Sequence, residues 1–449
     1  MKSFRLLPFI ICLFAGMLVA IPALEAQFDW ELLSNSPQNG QKQDDVFFVN
    51  EQLGWSVNGS GRVYRTNDGG ASWTQQLNQA GSYFRCIGFR DSLNGFLGNI
   101  GPNYFPGVSD FTPLYQTSDG GDNWEPVPSA QITGPTPTGL CAIQIIDDQH
   151  IVAAGRVGGP ALWMRSSDGG QTWQSSSLAI HIQMITDIYF SSPEKGYIFG
   201  GTSSNIELSR ARIIRTTDGG LTWTPVYTGQ RTFELCWKAA FPSASTAYVT
   251  LLNYAPNYAD RYIAKTLDGG INWEEMPFTN NSQKEFGIGF IDDNTGWIGT
   301  DNGGYETQDG GASWAARNIG GFVNKIRLLP SASGGTVGYA IGQRIYKMTS
   351  EEVTNTSLNT PPKQPLKALV FPNPTQQELQ IRFQLPKAQK VDITLYSIEG
   401  RRLAQVFAGE LSAGEQTFTH TIATPLPGLI QVMIRTEESY EILTINILP

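Results

Sequence analysis

The sequence predicts an all-β protein: a seven-bladed β-propeller closed by its own N-terminal strand, followed by a small C-terminal β-sandwich. Three observations carry this. The string Thr/Ser-x-Asp-Gly-Gly-x-x-Trp occurs six times, with its aspartate at Asp68, Asp119, Asp168, Asp218, Asp268 and Asp309. Those positions are spaced by 51, 49, 50, 50 and 41 residues, and a period near 50 with several short strands per unit is the pattern of a propeller. Composition agrees, since 48 glycines and 11% aromatics beside 16% charged residues suit short strands and tight turns.

The chain opens with Lys2 and Arg5, an apolar run from Leu6 to Ala23, and "ALEAQ". This reads as a secretory signal over 1–26, cut after Ala26, with a retained anchor as the alternative. Losing Lys2, Arg5 and Glu25 takes the 31 basic and 40 acidic residues to 29 and 39, a net charge of −10. No basic stretch suggests nucleic acid, and a mild acidic balance favours solubility. Cys86, Cys141 and Cys236 remain, an odd number that fits small buried residues better than a disulfide framework. His150, His181 and His420 are far apart in sequence. No metal or other cofactor is expected.

Each unit reads as four strands. In the first these are "DVFFV" (45–49), "GWSVN" (54–58), "RVYRT" (62–66) and, after the repeated string, "SWTQQL" (72–77). The sixth unit repeats the order with "GIGFI" (287–291), "GWIGT" (296–300), "GYETQ" (304–308) and "SWAAR" (313–317). A seventh has "KIRLLP" (325–330), "VGYAIG" (337–342) and "RIYKMT" (344–349), but neither the string nor a fourth strand. "FDWELL" (28–33) resembles "INWEEM" (271–276). It is expected to pair beside the last of these strands and close the ring, leaving no open edge there.

The string makes the turn between third and fourth strands. Its two glycines can take positive φ. Its aspartate can accept backbone N–H groups of its own turn, worth roughly 1.5–3 kcal/mol. Its tryptophan (Trp73, Trp124, Trp173, Trp223, Trp273, Trp314) can bury about 150–250 Å², a gross gain of roughly 4–6 kcal/mol. One carboxylate per turn is too few for calcium, so the role is structural. The strings resemble the Asp-box, or BNR repeat, of sialidases, sortilin-type receptors, xyloglucanases and photosystem II assembly/stability factors. The resemblance covers 28–349 and implies the fold, because those families span enzymes, receptors and assembly factors. One seven-bladed ring is most similar to the assembly-factor group and implies an interaction or scaffolding role, without photosystem binding.

Residues 350–366, "SEEVTNTSLNTPPKQPL", read as a linker. Beyond it, "ALVFPNPTQQELQIRFQL", "KVDITLYSIEGRRLAQVF", "GLIQVMIR" and "EILTINIL" read as the short strands of a sandwich over 367–449. "FPNP" (371–374), "LYSIEG" (395–400) and "LPGLIQVMI" (426–434) resemble the C-terminal sorting domain of the type IX (Por) secretion system of Bacteroidetes. The resemblance implies docking on that machinery and a secreted or outer-surface destination reached through the periplasm. The alternative is an accessory sandwich that binds something else.

Antiparallel strands put first-to-second and third-to-fourth turns on one face, with the remaining loops opposite. Three loops of that opposite face are enlarged: 99–115, 201–213 and 253–262. They carry Tyr104, Phe105, Phe111, Tyr115, Arg210, Arg212, Tyr254, Tyr258, Arg261 and Tyr262, candidates for binding a protein or glycan. The alternative is that the rings pack the loops. Arg65, Arg165 and Arg215 share one strand position and read as solvated or ion-paired surface groups.

Catalysis finds little support. The Phe/Tyr-Arg-Ile-Pro signature of sialidases is absent beyond the leader. Asp147–Asp148 and Asp292–Asp293 fall in turns on the other face and read as hydrated turn acids. The leading reading is a non-catalytic monomeric binding module. The alternative is a secreted glycoside hydrolase acting on extracellular glycans.

Overall fold

The computed structural model describes residues 28–38, 42–256, 260–279, 283–331, 334–350, 366–372, 375, 378–397, 402–422, 428–436 and 440–447. The expected leader, most of the linker, and Tyr258 lie outside the described residues.

Between Trp30 and Ser350 the strands form seven sheets. We number them 1 to 7 along the chain, with strands a to d from the centre outward. Sheet 1 is Gln43–Phe48, Gly54–Asn58, Arg62–Thr66 and Thr74–Asn78. Sheets 2 to 6 repeat this order, with strands a at Phe84–Phe89, Ala142–Ile145, Met184–Phe190, Glu234–Ala240 and Glu285–Phe290. Sheet 7 is Lys325–Pro330, Thr336–Ile341 and Ile345–Ser350, and Trp30–Leu32 is its fourth strand. The a strands of successive sheets touch in cyclic order, and sheet 7 meets sheet 1. This is a β-propeller closed by its first strand.

The closing strand pairs beside Ile345–Ser350 as expected: Trp30 faces Met348 and Leu32 faces Tyr346, antiparallel. Trp30 is buried, edge-on to Trp297 at 5.6 Å, and packs with Ile326, Ala340 and Met348. The first strand and the last sheet of the propeller therefore share one core. Cys86, Cys141 and Cys236 are buried and free, each among apolar neighbours.

Sheet 3 has a fifth strand the sequence reading did not foresee. Ile132–Thr133, in the long connection from sheet 2, runs parallel to Trp173–Gln174 and covers that outer edge.

Residues 366–447 build two further sheets. One orders Leu369–Phe371, Glu378–Leu385 and Gly414–Thr421; the other orders Arg402–Leu411, Gln389–Ser397, Gly428–Thr436 and Tyr440–Ile447. Leu379, Ile381, Phe383 and Leu385 alternate into a core with Ile393, Leu395, Val432 and Ile434. This is the expected sandwich. Leu369–Phe371 and Gly414–Thr421 add strands the reading had missed, the second because "GEQTFTHT" shows little apolar alternation.

Candidate functional site

The geometry of the six Asp-Gly-Gly turns decides what each face can do. In every one the threonine or serine hydroxyl donates to the aspartate Oδ1 at 2.7–2.8 Å. The same hydroxyl accepts from the second glycine N–H at 2.8–3.0 Å. The backbone N–H four residues beyond the aspartate donates to Oδ1, and that residue's side chain donates to Oδ2. These bonds hold Asp68, Asp119, Asp218 and Asp268 down to about 2, through Ser72, Asn123, Thr222 and Asn272. Asp168 and Asp309 are also lowered; in Asp168 burial opposes the hydrogen bonds and is outweighed by them. Both carboxylate oxygens are thus engaged within the turn, and among the described residues no metal-ligating cluster is found. The glycines need their positive φ, 68–76° for the first and 78–93° for the second. Trp173 and Trp223 are buried, while Trp73, Trp124, Trp273 and Trp314 are half-buried.

Each turn is also tied to its surroundings. The first glycine N–H donates to a carbonyl of the a–b turn in its own sheet, from Gly69 to Gln52 through Gly310 to Asn294, at 2.8–2.9 Å. The two turn types therefore share a face. The neighbouring sheet reaches over as well. Trp55 donates to Gly120 O at 2.9 Å, Tyr248 to Gly310 O at 3.2 Å, Tyr339 to Gly69 O at 3.1 Å, and Tyr197 to Gly269 O. The bases preceding the turns join in. Arg165 donates to Gly219 O at 2.5 Å and Lys265 to Gly310 O at 2.8 Å, and Arg65 pairs with Asp122 at 3.6 Å. Arg165, expected as a solvated or ion-paired surface group, and Lys265 at the same strand position both bridge to the adjacent sheet. Asp147 and Asp292 each accept two backbone N–H groups of their own turn. That is the local bonding of a turn acid.

The opposite, insert-bearing face is where the candidates gather. All five exposed aromatic side chains among the described residues lie there: Tyr104, Phe105, Phe111, Tyr254 and Phe322. Phe105 stacks on Tyr83 at 4.7 Å, Tyr104 stands edge-on to Phe105, and Lys284 Nζ lies 5.2 Å from the Tyr254 ring. Arg210 is exposed. Other candidates hold the loops instead. Tyr115 is buried and donates to Asp110 at 2.7 Å. Arg261 is buried and donates to Asn253 O at 3.0 Å. Arg212 donates to His181 O, and Tyr262 lies under the Arg231 guanidinium at 4.3 Å. Tyr115 and Arg261 are buried, and Arg212 and Tyr262 are half-buried.

Sequence reasoning missed the propeller axis. Strands a of sheets 1, 2, 4, 5 and 6 each carry a β-bulge, at Gln43/Asp45, Phe84/Cys86, Ile185/Asp187, Cys236/Ala239 and Glu285/Ile288. A bulge re-aims a side chain, and Asp44, Arg85, Trp237 and Lys238 are among the bulged residues. Arg85 pairs with Asp44 and lies over the Trp237 ring at 5.2 Å. Trp237 donates to Asn324 Oδ1 at 3.2 Å, and Asn324 donates to Asp44 O at 3.1 Å. Sheets 1, 2, 5 and 7 are so linked across the centre. Deeper, Lys325 and Arg327 pair with Asp45 at 3.2 and 3.3 Å, and Lys238 with Asp187 at 3.6 Å. Burial pulls the Lys238 ammonium down to about 8. Burial opposes the Asp45 charge, but Arg327 and Lys325 hold its carboxyl below the usual range. The available signal was a charged residue breaking an apolar run, as in "FRCIGF" and "CWKAAF".

Two acids stand apart. Burial raises the Glu285 carboxyl well above its usual range and raises Glu234 as well. Arg231 and Asn253 hold Glu234, and Arg261 lies 3.8 Å from Glu285.

Fold and comparisons agree on the class, a β-propeller. A structure of YCF48 bound to D1 peptide aligns with a TM-score of 0.52 and 18% identity, covering 75% of this chain and 99% of that one. YCF48 from Cyanidioschyzon merolae aligns at 0.53 and 15%, covering 71% and 98%. The GH74 xyloglucanase from Xanthomonas campestris aligns at 0.50 and 13%, covering 92% and 75%. At such identities the likeness shows fold alone. Residues 369–446 match the secretion system C-terminal sorting domain. That domain marks the chain for type IX secretion to the cell surface or extracellular space and implies interaction with that machinery. No curated protein matches the chain.

Proposed function

We propose that the chain is a secreted, non-catalytic binding protein, an Asp-box (BNR) propeller of seven blades whose insert face captures a protein or glycan partner. In this reading a signal peptide (1–26) is removed, the monomeric propeller spans 27–349, a linker spans 350–366, and the sorting domain spans 367–449. Tyr104, Phe105, Phe111, Arg210, Tyr254 and Tyr258 are the contact candidates. The observation that carries it is segregation. Every strongly exposed aromatic of the described residues sits on the insert face, whereas the exposed apolar groups of the turn face, Leu93, Leu221, Leu267 and Ile271, are aliphatic and scattered. Exposed aromatics are the usual anchors of recognition surfaces.

The test is capture on peptide and glycan arrays by the full chain. Phe111→Asp should abolish the captured signal and Leu267→Asp should preserve it. Retention in Phe111→Asp with loss in Leu267→Asp would reverse the assignment of faces.

A glycoside hydrolase is the second reading, favoured by one observation. Burial raises the Glu285 and Glu234 carboxyls, the direction in which a general acid is tuned. Sustained sugar release that disappears in Glu285→Gln would establish it.

A further inference from the structure

An open sheet edge is a template for another strand unless it is short, bulged, covered or interrupted by proline. The outer edges of the propeller are all blunted in one of these ways. Those of sheets 1, 4 and 5 are bulged at Gln76, Val226 and Phe278, and the last two also carry Pro225 and Pro277. Sheet 2 ends in Glu125–Pro126, sheets 6 and 7 end in three residues each, and Ile132–Thr133 covers sheet 3. In the C-terminal sandwich, Arg402–Leu411 is bulged at Leu403 and Val406, and Leu369–Phe371 is short. Tyr440–Ile447 is tied at both ends to the chain flanking Leu369–Phe371: Glu441 accepts from Ala368 N–H at 3.1 Å, and Ile447 bridges to Thr375.

Gly414–Thr421 is the exception. It pairs with Glu378–Leu385 over its whole length without a register shift, and among the described residues no strand lies on its other side. It holds no lysine, proline or bulge. The ladder fixes which of its groups are free. Gln384 N–H donates to Leu366 O at 2.9 Å, on the side of Glu378–Leu385 that carries Leu369–Phe371. Alternate residues of a strand point their backbone groups to opposite sides. Leu379, Ile381, Phe383 and Leu385 therefore bond to His420, Phe418, Gln416 and Gly414, and Glu415, Thr417, Thr419 and Thr421 turn their N–H and C=O outward.

The core stops short at the same edge. Ile381 and Phe383 are buried, but Phe418 beside them is half-buried, 4.8 Å from an equally half-buried Phe407 in the other sheet. Three strands here face four, and a fourth beside Gly414–Thr421 would extend the cover over the Phe407–Phe418 pair. We propose that this edge is the docking strand of the sorting domain, and that an extended segment of the type IX secretion machinery adds to it. The family match of residues 369–446 supplies the partner, and the edge sets its chemistry: backbone bonds to Thr417 and Thr419, apolar residues at the alternate positions above Phe418, polar ones between them. The inference goes beyond the insert-face reading and does not depend on it.

The experiment expresses the full chain in a bacterium that has the type IX system and measures the fraction outside the cell against that held in the periplasm. Thr419→Pro removes an outward N–H and leaves the ladder to Glu378–Leu385 whole. Thermal melting should be unchanged and the exported fraction should fall at least about tenfold. Thr419→Ser should be exported as the parent is. Export of folded Thr419→Pro at the parent's level overturns the proposal. Hydrogen exchange on the purified parent keeps the test valid if Thr419→Pro does not fold. The Thr417 and Thr419 amides should exchange faster than those of Gln416 and Phe418, and protection of Thr417 and Thr419 would mean that the edge is already covered, which also overturns it. A parent that self-associates in sedimentation and becomes monomeric as Thr419→Pro, with export of both alike, would give the edge to a second copy instead. Capture on the peptide and glycan arrays should be the same in Thr419→Pro as in the parent, so failure here and failure of the insert-face reading are separate results.

Discussion

The Trp55 indole of sheet 1 donates to the carbonyl of Gly120, in the Asp-Gly-Gly turn of sheet 2, at 2.9 Å. Its ring also stacks on Phe89 at 3.5 Å. A turn that looks local in sequence is thus a junction between sheets. Tyr339→Phe isolates the polar part of the equivalent junction, the Tyr339–Gly69 bond. It should cost about 0.5–1.5 kcal/mol, whereas Trp55→Ala, which also leaves a cavity, should cost roughly 3–5 kcal/mol. Urea denaturation with an unchanged slope checks both.

The hydroxyl that opens each turn should matter as much as the aspartate. Thr216 donates to Asp218 and accepts from Gly220 N–H. Thr216→Val strands that N–H and should destabilise by about 1–3 kcal/mol. Thr216→Ser should be nearly neutral, because Ser166 makes the same bonds in sheet 3. Thermal melts of the two variants give the comparison.

Acid should find the same turns. The folded carboxyls of Asp68, Asp119, Asp218 and Asp268 sit at about 2, below the ordinary 3.8. Their contribution is fully present above 3.8 and is lost as pH falls through about 2. Asp218→Asn should therefore be less stable than the parent at pH 7. The gap should close as the pH approaches 2, read from melting temperatures across that window.

Ring closure should depend on a single side chain near the chain's start. Trp30 is nine-tenths buried against Trp297 and Met348. Trp30→Ala should cost roughly 3–5 kcal/mol and expose the Ile345–Ser350 edge. Loss of amide protection at Tyr346 and Met348 in hydrogen exchange would report the opened seam.

What the sequence made legible follows physical range. The turns were readable because their bonds are local: Asp218 speaks to residues within four positions of itself. The Trp30 strand was readable because it repeats the pattern of a missing element. The role of Arg165 was misjudged because its partner, Gly219, lies in the next unit along. Asp44, Arg85, Trp237 and Lys238 were invisible because a bulge in each of their strands displaces them from the alternation that marks inward positions. Tyr115 and Arg261 looked like surface candidates from loop position alone, and only their bonds to Asp110 and Asn253 place them inside.

The account turns on a division of labour between faces, one locked by Asp-Gly-Gly turns and one left open for a partner. Hydrogen exchange on the full chain, with and without the ligand taken from the arrays, tests this most directly. Slowed exchange across the 101–113 and 202–210 loops, with the six turns unaltered, is the predicted result. Slowed exchange confined to the Asp-Gly-Gly turns would contradict it.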